Sequence, residues 1–157
     1  MPPPLTFRLL AGCRVSMERG IGFLEGHSDL DAGRAFDSFG GADARAFRSH
    51  MDQWLDGANG PKTHFHPFKS DLDHRNCFVF KYKEHRLYGF LCHPEDSDPR
   101  FQLCSLCIYA TKHEHNSDRR ELDRVEQWGK SLSAQEAISK IYPPKLRKGE
   151  GRTPWTN

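Results

Sequence analysis

Residues 77 to 116 constrain the fold most, because apolar and polar side chains alternate there with period two through three successive runs. That period is the mark of a strand with one buried face. In the first run Phe78, Phe80 and Tyr82 share a face, and Val79, Lys81 and Lys83 share the opposite one. A tight return at Glu84-His85 leads into a second run, Arg86 to Cys92, which ends in the polar, turn-rich segment from His93 to Pro99. In the third run Cys104, Leu106, Ile108 and Ala110 are expected to be buried together, with Ser105, Cys107, Tyr109, Thr111 and His113 on the face left for chemistry. Three adjacent antiparallel strands follow.

Ahead of the strands, Ser28-Asp29-Leu30-Asp31 offers an N-cap and Gly40-Gly41 a stop, which brackets a short helix holding Leu30, Ala35, Phe36 and Phe39. A second helix is predicted to begin near Asp43. It places Ala44, Phe47, Met51, Trp54 and Leu55 at three-and-four spacing before the breaker Gly57-Ala58-Asn59-Gly60-Pro61. The two form a helical hairpin whose apolar faces need a sheet to cover. Gly20 to Gly26 is at best a poor edge strand, because its glycines contribute no side-chain packing. After the third run, Ser117-Asp118 can cap a helix through Leu122, Val125 and Trp128, and Ser133 to Glu136 has capping-box spacing for another.

With 157 residues the chain can bury a core as one domain, supplied with large burial units by eleven Phe and three Trp. Cys13, Cys77, Cys92, Cys104 and Cys107 are an odd number and the start lacks a charged, then apolar, leader, so reduced thiols and a cytoplasmic setting are expected. No stretch approaches the roughly 20 apolar residues of a membrane-crossing helix. Net charge is only +2, but it is unevenly spread: residues 18–59 carry eight acids against four bases, and residues 60–157 carry thirteen acids against seventeen bases. An anion would therefore be drawn to the strand-bearing half.

The strand Phe78-Val79-Phe80-Lys81-Tyr82, the strand start His85-Arg86-Leu87-Tyr88, and the end Tyr109-Ala110-Thr111-Lys112-His113 before a charged helix with Leu122 and Val125 form one pattern. From about Phe47 to Trp128 it resembles the RelE/HigB superfamily of toxins from bacterial toxin–antitoxin pairs and their phage-borne relatives. The resemblance implies an α+β fold: a small, twisted, mainly antiparallel sheet with an N-terminal helical hairpin on one face and C-terminal helices. On that pattern residues 20–142 form a single domain, 1–19 a flexible N-terminal segment and 143–157 a basic C-terminal tail. It further implies cleavage of messenger RNA, commonly on the ribosome, a cognate antitoxin as partner, and no cofactor. Lys81 falls where the family has a basic strand residue facing RNA, Arg86 where an arginine opens the next strand, and Lys112 or His113 at the basic end of the last. The chain departs from the family in being longer at both ends, in its weak first strand, and in having histidines where arginine, lysine or tyrosine is expected.

The residues support such chemistry in their own right. Cleavage by the neighbouring 2′-hydroxyl needs a base for its proton, cations for charge gathering on phosphorus, and an acid for the departing 5′-oxygen. Histidine serves both proton roles near neutrality. Catalysis is assigned to Lys81, Arg86, His113 and His115, and RNA binding to Lys83, Tyr88, Tyr109 and Lys112, with Tyr82 or Tyr88 able to stack on an unpaired base. Plainer roles stand beside these: a polar connection for His113-Glu114-His115, solvated charges for Lys81 and Lys83, an ion pair of Arg86 with Glu84 or Glu114, and core packing for Tyr82. A non-catalytic binding module of the same fold is the alternative function. Metal binding is not expected, since Cys104 and Cys107, three apart on a strand, face opposite ways. No element singles out a cysteine nucleophile, and phosphate-loop and dinucleotide motifs are absent.

Overall fold

The alternation between residues 77 and 111 is realised as an antiparallel meander of β4 (Cys77–Tyr82), β5 (His85–Cys92) and β6 (Gln102–Thr111). In this computed structural model residues 5–10, 19–26, 31–57, 60–68, 74–93, 102–112 and 119–141 are described. Before the meander come β1 (Thr6–Leu9), β2 (Arg19–Glu25), α1 (Ala32–Ser38), α2 (Gly41–Leu55) and β3 (Phe65–Pro67); after it come α3 (Arg119–Gly129) and α4 (Leu132–Ser139). The fold is α+β, with a six-stranded mixed sheet in the order β1-β2-β6-β5-β4-β3. All neighbours are antiparallel except β2 and β6, which run parallel.

Helices cover both faces. On one, α2 buries Phe47, Met51, Trp54 and Leu55, and α1 buries Ala32, against Ile21, Phe23, Phe78, Phe80, Leu87, Cys104 and Leu106. Each large side chain contributes roughly 1.5–3 kcal/mol by leaving water. On the other, Leu122 and Val125 of α3 and Ala134, Ala137 and Ile138 of α4 pack on Leu24, Cys77, Val79, Tyr88, Phe90, Leu103, Cys107 and Ile108. Val79, expected on the polar side of its strand, is therefore core. So are Ser105 and Cys107, both fully buried.

A β-bulge accounts for part of that difference. Tyr88 pairs with Ile108 but Gly89 pairs with Leu106, so Cys107 is an extra residue and the side-chain alternation reverses after it. Cys107 and Ile108 both face α3 and α4, while Tyr109 turns to the α1/α2 face. Gly89 is required at this point: a Cβ there would collide with the Ser105 carbonyl and lie 2.8 Å from Leu106 Cα.

Other expectations are corrected in turn. β2 is an interior strand, not a poor edge, and is buried along its middle. Its Gly22 makes room for the Phe7 ring. Thr6–Leu9, within the segment expected to be flexible, forms the outermost strand. The opposite edge, β3, ends in Pro67, a residue sheets tolerate at an edge. Gly41 opens α2 instead of stopping α1. The cap of α4 is Ser131, whose hydroxyl accepts from the Ala134 N–H at 3.3 Å, not Ser133. Among the described residues no helix is long and apolar enough to cross a membrane. The stretch 143–157, expected as a basic tail, lies outside the described residues.

Candidate functional site

The β4–β5 hairpin closes at Lys83-Glu84, after the last cross-strand pair Tyr82 and His85. Lys83 takes a left-handed backbone, φ 53°, which costs a non-glycine residue roughly 1–2 kcal/mol. Arg86 stabilises that turn: its Nη1 donates to the Lys83 carbonyl at 2.6 Å and to the His85 carbonyl at 2.9 Å. The same side chain belongs to a cationic row. Lys81 and Arg86 are direct cross-strand partners, and Arg86 is paired on its other side with Ala110, two residues before Lys112. The alternation in β4 and β5 puts Lys81 with Val79 and Arg86 with Tyr88, on the α3/α4 face. Neighbouring strands lie about 4.8 Å apart, so the three cations span roughly 10 Å at one end of the sheet.

Lys112 belongs to this row by position but its charge is already met. Its Nζ lies 2.6 Å from Glu121 Oε1 on α3, with both side chains 14 % exposed. Glu121 Oε2 is buried with no hydrogen-bond partner among the described residues. The backbone N–H of Lys112 donates to the Glu84 carbonyl at 2.8 Å, which ties the end of β6 to the hairpin turn.

The sequence-predicted set is divided by the sheet. Tyr109 lies on the α1/α2 face, where its hydroxyl meets His85 Nδ1 at 2.7 Å. Burial, followed by the nearby Glu84 and Asp43 carboxylates, raises the Tyr109 pKa. The phenol thus stays protonated and shares one hydrogen bond with Nδ1, and the second ring nitrogen of His85 is Nε2. That nitrogen is 3.7 Å from Asp43 Oδ2 and 3.6 Å from Glu84 Oε1. Phe39 closes over both rings, with centroids 5.0 Å from His85 and 5.8 Å from Tyr109. Lys83 reaches the same group: its Nζ is 3.7 Å from Asp43 Oδ1 and 5.2 Å from the Tyr82 ring centre. Tyr109 and Lys83 are therefore not companions of Lys81 and Arg86.

Tyr88 is fully buried under α3, so it cannot stack on a nucleic-acid base and its RNA-binding role is withdrawn. Tyr82 packs against Phe47 and His50, in keeping with the packing role. His113 and His115 lie outside the described residues. Sequence reasoning passed over His85 and Glu121. The sequence places His85 at the return and at the strand start but assigns it no site role, although it opens β5 on the same alternation as Leu87. Glu121 gave no signal beyond being an acid on a charged helix.

The thiols are poor nucleophiles here. Burial pushes Cys92 up to about 12 and raises Cys104 and Cys107 well above the usual thiol value. Cys104 packs on the α1/α2 side and Cys107 on the α3/α4 side, the opposite facing expected from their spacing. Among the described residues no three His, Cys, Asp or Glu side chains gather to hold a metal ion. Compared with protein-family models, with curated proteins and with solved structures, the chain matches none.

Proposed function

We propose that this chain is a messenger-RNA-cleaving toxin of the RelE/HigB kind, with the RNA phosphates bound at the Lys81–Arg86 row. One observation carries the reading: these two cations stand directly opposite each other on adjacent strands, with Lys112 at the same end and on the same face of the next. The α+β fold, with α1 and α2 packed on one face of the sheet, supports the reading at the level of fold class. In the proposed reaction the 2′-hydroxyl loses its proton and its oxygen bonds to phosphorus, while the bond from phosphorus to the 5′-oxygen breaks and that oxygen takes up a proton. Arg86 and Lys81 would hold the charge that grows on the non-bridging oxygens. The proton-transfer roles are proposed for His113 and His115, which follow Lys112 in the sequence. The ribosome and a cognate antitoxin are the partners this reading entails.

A second reading is favoured by the engagement of the same cations. Lys112 is offset by Glu121, and Arg86 Nη1 serves the turn. A module that binds RNA or protein without cutting fits that arrangement. Purified protein incubated with ribosomes and a defined message distinguishes the two, with new 5′ ends mapped by primer extension. Cuts within ribosome-protected codons support the toxin. An intact message that is nonetheless bound supports the module, and a message neither cut nor bound rejects the toxin and leaves only a module that binds protein.

A further inference from the structure

Lys81 is held at its backbone by two histidines. Its N–H donates to the His64 carbonyl at 2.8 Å, and its own carbonyl accepts from His50 Nδ1 at 2.8 Å. The two imidazoles are stacked on each other, with centroids 3.8 Å apart and planes 12° from parallel. His64 Nδ1 is in turn held by Gln53 Oε1 of α2 at 3.0 Å. Since both Nδ1 atoms face oxygens that only accept, each ring carries a proton on Nδ1. Three pieces of chain, α2, the segment before β3 and β4, thus meet at one residue of the proposed phosphate row.

We infer that His50 and His64 are positioning residues for Lys81, and that separation of the stacked pair on acidification weakens phosphate binding at the Lys81–Arg86 row. The inference rests on that row being the phosphate site. Neutral imidazoles stack without penalty. Charging both would set two like charges about 4 Å apart, with His50 only 8 % exposed. Among the described residues the groups facing His50 offer no counter-charge: they are the His64 ring, the Lys81 carbonyl and the Tyr82 ring, over which the Lys83 ammonium lies. His50 is fixed on a fifteen-residue helix, whereas His64 is in the short turn from Pro61 into β3. The outer ring is the one to leave, and it withdraws the carbonyl that fixes the Lys81 N–H.

The sign of the effect is diagnostic. An ordinary cationic surface binds RNA more tightly in acid, as histidines charge and repulsion between phosphate and carboxylate falls. Here binding is expected to weaken. The probe is a fluorescein-labelled single-stranded oligoribonucleotide, followed by anisotropy at constant salt from pH 7.5 to 5.0, together with the Lys81 amide resonance over the same range. Expected are a loss of about 10-fold in affinity and an Lys81 amide shift that follows the histidine titration. His50→Asn places an amide N–H where Nδ1 was and does not titrate, so it should keep neutral-pH affinity and flatten the profile. Binding that strengthens in acid, an unmoved Lys81 amide, or an unchanged profile in His50→Asn would overturn the inference. If the wild type binds no oligoribonucleotide at any pH, the phosphate-site reading fails, and the amide titration alone decides whether the pair positions Lys81.

Discussion

Replacing Glu121 with Gln separates the two tasks of Lys112, because it removes the carboxylate charge while keeping the shape that α3 presents to the sheet. In the native protein Lys112 Nζ and Glu121 Oε1 are 2.6 Å apart and both side chains are largely covered. Hydrogen bonds involving charged groups contribute about 1.5–3 kcal/mol. The amide oxygen of Gln retains part of that bond, so a loss of roughly 1–2 kcal/mol is expected. Urea unfolding would show it as a lower midpoint at unchanged slope. RNA binding should move the other way, since a Lys112 ammonium facing a neutral amide in place of a carboxylate is drawn more readily to a phosphate. For single strands the slope of log affinity against log salt is about −0.7 per phosphate neutralised. Two engaged cations therefore give about −1.4 and three about −2.1. A Glu121→Gln protein that is less stable, tighter on RNA at low salt and steeper in salt dependence would show that α3 masks a third phosphate contact. Equal slopes in the two proteins would refute that reasoning, whatever the change in stability.

Phe47→Ala should cost about 3–5 kcal/mol, because the ring is fully buried between α2 and the sheet, and calorimetry should show the drop in Tm. Gly89→Ala should be destabilising by more than a typical surface change, since its Cβ meets backbone of β6 at the bulge; circular dichroism melting that matches wild type would remove the bulge from the explanation. Burial of His50, then the neighbouring His64 ring, lowers its pKa in the folded state. The folded protein thus binds fewer protons than the unfolded chain. The associated stability is complete above the unfolded value near 6.5 and is lost as pH falls from there through the folded pKa. Urea midpoints at pH 7.5 and 5.0 should differ more in wild type than in His50→Asn.

The period-two runs of β4 and β5 and the three-and-four spacing of α2 were legible because they are local: each residue's facing follows from its neighbours along the chain. The third run was misread after Cys107 for the same reason. Counting alternate residues assumes no extra one, and the bulge depends on how β5 pairs across at Tyr88 and Gly89. That one residue sent Tyr109 to the face of His85 and divided the expected site. The glycines of β2 lower its strand propensity, but Gly22 is needed to seat the Phe7 ring of β1, the strand paired beside it, which local propensity does not reveal. The Lys81–Arg86 pairing could be inferred from a tight hairpin. The Lys112–Glu121 ion pair could not, since it depends on where α3 lands. The His50–His64 stack likewise joins residues that only the closing of α2 over β4 brings together.

The central proposal, that Lys81 and Arg86 form the RNA phosphate site of a messenger-cutting toxin, is tested most directly by single-turnover cleavage of a ribosome-bound message. Wild type, Lys81→Ala and Arg86→Ala would be compared at equal folded fraction, checked by urea unfolding because Arg86 also braces the turn. Cleavage by wild type with a loss of about 10²- to 10³-fold in Arg86→Ala is expected, the scale for removing one transition-state donor, and Lys81→Ala should be slowed as well. A message left whole by wild type, or cut at full rate by both variants, would contradict it.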